Sequence, residues 1–113
     1  MNKIVYNACY GGYGLSEAAM ERIAELKGIE VYKKEIFRGC YSYYADADFS
    51  VPFPYFERHD KALVQTVEEL GKAAGGEYSN LQVYQTESNR YFIDEYDGYE
   101  TVQVEYDEQW TYI

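Results

Sequence analysis

The stretch KIVYNACYGGYGLS, residues 3–16, contains the local sequence patterns that best predict the fold. Residues 3–8 alternate in polarity as a short strand does. After a glycine-rich loop, Ser16 has the side chain preferred at a helix N-cap. Residues 17–27 place their apolar side chains along one stripe, and Gly28 supplies a stop signal. The stretch therefore predicts a strand, a tight loop and a helix in direct succession.

The glycine-rich loop has two interpretations. Glycines such as Gly11 and Gly12 allow a backbone to approach a ligand closely, and the helix start behind them presents unpaired N–H groups. Tyr10 and Tyr13 offer flat faces that can stack on a base or a sugar. The loop is thus a candidate binding corner. The alternative is a tight turn with no ligand.

Sequence patterns in the rest of the chain predict five further elements. They are an exposed edge strand 29–36, an aromatic-rich loop 37–58, a helix from Lys61 to about residue 74, a strand 81–85 and an acidic hairpin 91–106. The predicted fold is one α+β domain spanning residues 1–113. It has a mixed or antiparallel sheet of about five strands, with two helices packed on one face.

The hairpin prediction depends on the dipeptide Asp97-Gly98, a strong signal for a two-residue turn. That turn sets the register, because the strands are paired outward from it. The facing pairs are then Tyr96 with Tyr99, Ile93 with Val102, and Tyr91 with Val104. Apolar side chains gather on one face in this register, which supports it.

Residues 37–58 have no clear period and are rich in Phe and Tyr. Pro52 and Pro54 exclude a regular helix or a central strand there. The aromatic density argues against disorder. We expect an ordered loop that packs on the body of the domain, or one that forms a ligand wall or is covered by a second copy of the chain.

The formal net charge is −10, and it is unevenly placed. Residues 91–113 hold seven carboxylates and no Lys or Arg, so residues 1–90 carry only −3. Binding to duplex DNA through phosphates requires clustered Lys and Arg, so direct nucleic-acid binding is not expected. The acidic segment is either a solvated surface or a mimic of nucleic acid toward a basic partner.

The amino-acid composition also argues against several classes of protein, namely membrane proteins, enzymes and metal-binding proteins. No apolar run approaches the length of a membrane span, and we expect no signal peptide, no membrane association and a cytoplasmic protein. Cys9 and His59 would form a catalytic pair only if they met in space. The chain offers too few well-spaced ligands for zinc. We therefore expect no enzyme activity, no catalytic residue, no metal site and no cofactor.

Two basic clusters are candidates for holding an anionic ligand. One is Arg58-His59 with Lys61, at the start of the second helix, and the other is Lys33-Lys34 with Arg38. One or two Arg contacts with backbone N–H groups suffice for a small anion. The alternative is surface ion pairing, with Glu35, Glu57 and Asp60 as the nearest carboxylates along the chain.

Three segments together resemble a family of small proteins encoded by bacteriophages and prophages. They are NACYGGYGLS at residues 7–16, RHDKALVQTVEELG at residues 58–71 and DEYDGYE at residues 94–100. The group also resembles the anti-Thoeris sponge proteins. Those are oligomers that sequester cyclic ADP-ribose isomers and related cyclic nucleotides between Arg and aromatic side chains of two protomers.

This resemblance implies that Arg58 contacts a phosphate and that Tyr10 or Tyr13 forms a stacking wall. The full set of candidate ligand-binding residues is Asn7, Tyr10, Gly11, Gly12, Tyr13, Arg58, Arg90 and Gln109. One departure concerns the residues before Trp110. Members with this pattern carry a basic pair there, whereas this chain has Asp107-Glu108-Gln109. Either the ligand differs, or this chain has lost that function.

The leading hypothesis is a phage-encoded anti-defence protein that binds and sequesters a nucleotide-type immune signal without cleaving it. The signal would be a cyclic ADP-ribose isomer or a cyclic oligonucleotide, and the protein a homodimer or higher homo-oligomer. The alternative is an acidic, anti-CRISPR-like inhibitor that blocks a nucleic-acid-binding host protein. A third reading, a small hydrolase acting through Cys9, predicts product formation.

Overall fold

A computed structural model describes residues 1–53, 56–104 and 110–113. Its elements, in chain order, are β1 (Asn2–Asn7), α1 (Glu17–Lys27), β2 (Tyr32–Phe37), β3 (Cys40–Tyr44), α2 (Lys61–Leu70), a short 3-10 helix (Gly71–Ala74), β4 (Leu81–Thr86), β5 (Arg90–Tyr96), β6 (Tyr99–Gln103) and β7 (Thr111–Tyr112). None of the helices in these ranges is long and apolar enough to cross a membrane.

Local capping determines where both helices begin. The Ser16 side chain accepts a hydrogen bond from the N–H of Ala19, which confirms the predicted start of α1. Asp60 does the same for α2, accepting from Ala62 and Leu63. At its other end α1 stops at Gly28, which has a left-handed φ of 66°.

The prediction that α2 continues to about residue 74 is wrong in detail. The α-helix ends at Leu70, and a 3-10 turn, Gly71–Ala74, follows it. Gly71 has a φ of 57° and a ψ of −125°, which is not a helical conformation. The change of backbone direction at Gly71 therefore interrupts the regular helix one turn early.

The α+β class is confirmed, but the single sheet of about five strands is wrong. The described strands form three small sheets. One is the antiparallel pair β1–β4, another is the antiparallel pair β2–β3, and the third has the order β6-β5-β7. The strands do not join into a single sheet because the β1–β4 pair and the β5–β6 hairpin contact each other through side chains. Within the described strands, their edges are not joined by backbone hydrogen bonds.

Strand β1 lies in the middle of this arrangement, and both of its faces are covered. Val5 belongs to the main core with α1, α2 and Leu81. Its neighbour Ile4 belongs to a second core with Tyr91 and Val102 of the hairpin. Both Ile4 and Val5 are 0% exposed. The two helices thus pack on one face of β1–β4, as predicted, while the hairpin packs on the other.

The predicted hairpin is confirmed over its described residues. Ile93 pairs with Val102 and Tyr96 pairs with Tyr99. Asp97 and Gly98 form the turn, and their φ values of 51° and 89° are those of a type I′ turn. Beyond the paired residues, Tyr91 and Val104 lie in the same core cluster as Val102. Residues 105 and 106, the predicted end of the hairpin, lie outside the described residues.

The prediction of an irregular loop over residues 37–58 is only partly right. Its first part contains β3, which pairs with β2 through a turn at Arg38-Gly39. The predicted exposed edge strand 29–36 is present as β2, whereas hydrophobic alternation gave no sign of β3, because the ribbon is exposed on both faces over residues 33–41. Farther along, Phe53 is buried in the main core and Phe56 packs against it, so that part packs on the body as expected.

Tyr91 provides a test of the core between β1 and the hairpin. Its side chain is 2% exposed and its hydroxyl lies 2.9 Å from Nδ1 of His59. Burial raises the pKa of Tyr91 to about 12. The folded state favours the neutral phenol of Tyr91. The contribution of this phenol to the free energy of unfolding is therefore complete below the ordinary pKa of 10.0 and is lost as the pH rises through about 12.

We expect Tyr91→Phe to lower the free energy of unfolding by about 0.5–1.5 kcal/mol at neutral pH, because it removes the hydrogen bond to His59. Urea unfolding at neutral and at strongly alkaline pH measures this. The difference between the two proteins should shrink above the ordinary tyrosine pKa. A constant difference at all pH values would contradict the burial argument.

Candidate functional site

Arg58 and Glu100 form an ion pair at the centre of the region predicted to bind ligand. Arg58 Nη1 lies 2.6 Å from Glu100 Oε1, and Nη2 lies 2.9 Å from Oε2. The Glu100 side chain is 8% exposed and that of Arg58 is 23% exposed. Such a two-point pair fixes the orientation of the guanidinium as well as its charge.

The ring of Tyr13 covers the same guanidinium. The Cζ atom of Arg58 lies 3.5 Å from the centre of the ring, which is a close cation–π contact. Burial raises the pKa of the Tyr13 hydroxyl, and the positive charge of Arg58 works against that rise. The sequence prediction placed Tyr13 beside a ligand, whereas the structure places its ring against Arg58.

Asn7 connects this ion pair to the glycine-rich loop and to the hairpin turn. It is fully buried, and its backbone N–H donates to Glu100 Oε1 at 2.8 Å. Its Nδ2 donates to the carbonyls of Cys9 and Gly98, while its Oδ1 accepts from the N–H of Asn80. The hydrogen-bonding capacity of Asn7 is therefore used within the protein.

The glycines of the loop allow close approach of protein backbone. A Cβ atom at Gly11 would lie 1.8 Å from the carbonyl oxygen of Tyr78. On the other side, a Cβ atom at Gly98 would lie 2.5 Å from the carbonyl oxygen of Tyr10 and 2.8 Å from the N–H nitrogen of Gly12. The loop is thus held between the segment before β4 and the hairpin turn.

We call Asn7, Tyr13, Arg58 and Glu100 the Arg58 clasp. It includes three of the predicted ligand-binding residues and adds Glu100, which sequence reasoning did not select. The sequence signals for Glu100 were its place in the acidic hairpin and at the end of the segment DEYDGYE, residues 94–100. Its burial could not be anticipated because its partner is 42 positions away along the chain.

The other predicted residues lie elsewhere. Gly11 and Gly12 are in the packed loop, and Tyr10 is exposed with its ring centre 5.3 Å from that of Tyr99. Arg90 stacks on Trp110, with Cζ 4.2 Å from the ring. Gln109 lies outside the described residues. Trp110 was discussed as a marker of the resemblance and not selected as a site residue.

A cleft of about 390 Å³ lies between Arg58 and Trp110. Its other lining residues are Glu57, Tyr91, Phe92, Ile93 and Thr111. This volume is within the range of small-molecule sites, and the lining combines aromatic rings with a few polar groups. Among the described residues that line this cleft, Arg58 is the one predicted to bind ligand, and Tyr91, Phe92 and Trp110 are aromatic.

Arg90 is the cation of this region that remains available. Its side chain is exposed, and it forms no ion pair within the described ranges. By contrast, an anion that displaced Glu100 from Arg58 would leave a buried carboxylate without its partner, which is strongly unfavourable. An anionic group bound near Trp110 would therefore be stabilised more readily by Arg90, which stacks on that ring, than by Arg58.

The residues considered for catalysis each have other partners. His59 Nδ1 contacts the Tyr91 hydroxyl at 2.9 Å, and Cys9 Sγ contacts the Tyr78 carbonyl at 3.1 Å. No group of three or more potential metal ligands is found in the described part of the chain.

Within the described residues one cation of each basic cluster forms an ion pair, but not with a carboxylate that is near it along the chain. Arg58 pairs with Glu100, and Lys33 pairs with Glu17 at 2.6 Å. Asp60, one of the carboxylates named in the alternative of surface ion pairing, pairs with Lys27 at 2.7 Å. Tertiary contacts bring these partners together from other elements.

The Arg58 clasp predicts strong coupling between its two charges. We expect Arg58→Ala and Glu100→Ala each to lower the free energy of unfolding by about 2–4 kcal/mol, since each leaves a largely buried charge unpaired. The double variant should lose less than the sum of the two, with a coupling of about 1–3 kcal/mol. Urea unfolding measures all three, with the exposed Lys72→Ala as control. Additive losses would show that the pair is not a unit.

The packing of the loop predicts a difference between two glycines. We expect Gly11→Ala to destabilise the protein by about 2–3 kcal/mol, because its Cβ would overlap the Tyr78 carbonyl. Gly76→Ala is the matched control, since its Cβ would make only ordinary contacts at 3.6 Å or more. It should stay within about 1 kcal/mol of wild type. Equal melting temperatures for both variants would contradict the packing of the loop.

Comparison of the chain with family models, with curated proteins and with solved structures finds no match in any of the three.

Proposed function

We propose that this protein is a binding protein that captures a nucleotide-type small molecule in the cleft between Arg58 and Trp110 and releases it unchanged. The observation that supports this most directly is Trp110, which lines a cleft of ligand size and has Arg90, a residue outside that lining, stacked on its ring. A base needs a flat apolar face, and a phosphate needs a cation. Both groups are present within one short stretch of surface.

The proposed roles differ from those that the resemblance implies. Arg90 is assigned to the anionic group of the ligand, because it is exposed and carries no ion pair in the described residues. Trp110 or Phe92 is assigned to the ring. Arg58 is assigned a positioning role, since Glu100 already neutralises its charge and Tyr13 covers its face.

The biological setting of the proposal comes from the resemblance of residues 7–16, 58–71 and 94–100 to phage proteins. In that setting the ligand is an immune signal such as a cyclic ADP-ribose isomer or a cyclic oligonucleotide. The protein then acts in the cytoplasm of a bacterial host as a homodimer or higher homo-oligomer. Retention of the ligand without turnover is part of this proposal.

A second candidate function is an acidic inhibitor of a nucleic-acid-binding host protein. The observation that favours it is the exposed tip of the hairpin, where Asp94, Glu95 and Asp97 surround Tyr96. Carboxylates spaced along a strand and a turn can engage basic side chains that normally hold phosphates. In that case the cleft would have no ligand.

The test is thermal unfolding against a panel of cyclic nucleotides and cyclic ADP-ribose isomers, with the recovered compound analysed by mass spectrometry. A ligand that binds only the folded state raises the melting temperature. For a compound that does so, we expect Arg90→Ala to cost about 1.5–3 kcal/mol of binding free energy through loss of a charged hydrogen bond. We expect Trp110→Ala to cost about 1–3 kcal/mol through loss of stacking.

Lys72→Ala, an exposed substitution outside the cleft, is the control and should bind as wild type. A shift with an altered compound recovered would make the protein an enzyme. No shift with any compound would favour the inhibitor, whose host complex should weaken on Asp94→Asn and Glu95→Gln. Normal affinity in both cleft variants would move the site elsewhere.

A further inference from the structure

The ribbon formed by β2 and β3 ends in a surface that the rest of its own chain does not cover. All nine residues 33–41, which we call the arm, are exposed. Three of them are large and apolar, namely Ile36, Phe37 and Tyr41, and Phe37 is 74% exposed. Contiguous apolar groups of this size on a small protein mark an interaction surface.

Among the described residues, the arm is anchored to the body at its base and through Lys33, which pairs with Glu17 of α1. Val31 and Tyr43 pack against the main core, whereas the arm itself lies beyond them. A two-stranded ribbon with no covered face is marginally stable in water. Contact with another surface would therefore order the arm as well as bury its apolar side chains.

The arm is also a cationic patch on a strongly acidic protein. Lys33, Lys34 and Arg38 outweigh Glu35, so the arm has a charge of +2 while the chain has −10. Lys33 is paired with Glu17 of α1. Lys34 and Arg38 form no ion pair in the described ranges, so the arm carries two unpaired cations beside its apolar side chains.

The same chain carries a surface of complementary chemistry. We call residues 94–99, at the turn between β5 and β6, the acidic tip. Asp94, Glu95 and Asp97 are exposed there, and Tyr96 is 78% exposed between them. The acidic tip thus offers carboxylates for Lys34 and Arg38, and an aromatic ring for the apolar side chains.

We infer that the arm of one copy docks on the acidic tip of a second copy. Within one copy both surfaces remain exposed, so they do not cover each other. In a two-fold dimer the contact occurs twice, because each copy supplies one arm and one acidic tip. Repulsion between the two acidic chains is screened beyond about 8 Å at physiological salt, while the docked charges lie closer.

This inference does not rest on the proposed ligand, and its test uses none. Sedimentation velocity of the whole chain, from low to high micromolar concentration at physiological salt, measures self-association. Two charge reversals are compared with wild type: Lys34→Glu with Arg38→Glu on the arm, and Asp94→Lys with Glu95→Lys on the acidic tip. Lys61→Glu with Lys72→Glu is the control, since it changes the net charge as much as the arm variant does.

We expect wild type and the control to dimerise, and each reversal to raise the dimer dissociation constant by about tenfold or more, because like charges then face each other. An equimolar mixture of the two reversed proteins should recover dimers, since every arm then meets a tip of opposite charge. All of these substituted side chains are exposed, so circular dichroism should show an unchanged fold.

Three results would overturn the inference. One is a wild-type protein that stays monomeric at every concentration measured, which would indicate that the arm binds a host partner instead of a second copy. Another is a dimer that neither reversal weakens. The last is a mixture that remains monomeric, since the arm and the tip would then not contact each other.

Discussion

The pairing of Arg58 with Glu100 is the constraint on which the arrangement of the layers depends. Glu100 lies on β6 and Arg58 lies just before α2, while the backbone of Asn7 on β1 donates to the same carboxylate. A carboxylate this deeply buried is tolerated only with a partner that neutralises it. The pair therefore connects the start of α2, the β1–β4 pair and the β5–β6 hairpin at one point.

This constraint changes what the sequence motifs do. The glycine-rich loop and Arg58 are the features that most suggest a phosphate site, yet both are engaged by the protein itself. Tyr13 lies on the guanidinium, and Gly11 lies against the Tyr78 carbonyl. Binding groups that remain available are found farther out, where Arg90 stacks on Trp110 beside the cleft. A sequence motif can thus identify residues that support a binding site as well as residues that contact the ligand.

The charges are separated in a way that the net value of −10 conceals. Most of the cations near the body are paired across elements, as Lys27 is with Asp60 and Arg58 with Glu100. Two cations of the arm, Lys34 and Arg38, have no ion pair in the described chain, and neither do the three carboxylates of the acidic tip. An acidic protein can in this way keep one locally basic and apolar surface for a specific contact.

The sequence by itself determined the features that arise from neighbouring residues. Ser16 and Asp60 cap the two helices, and Asp97-Gly98 sets the register of the hairpin, because these interactions span two to four positions. Tertiary structure alone decided the division into three sheets and the partners of Glu100. Those depend on which faces pack together and on residues far apart along the chain, Arg58 being 42 and Asn7 93 positions from Glu100, for which no local pattern exists.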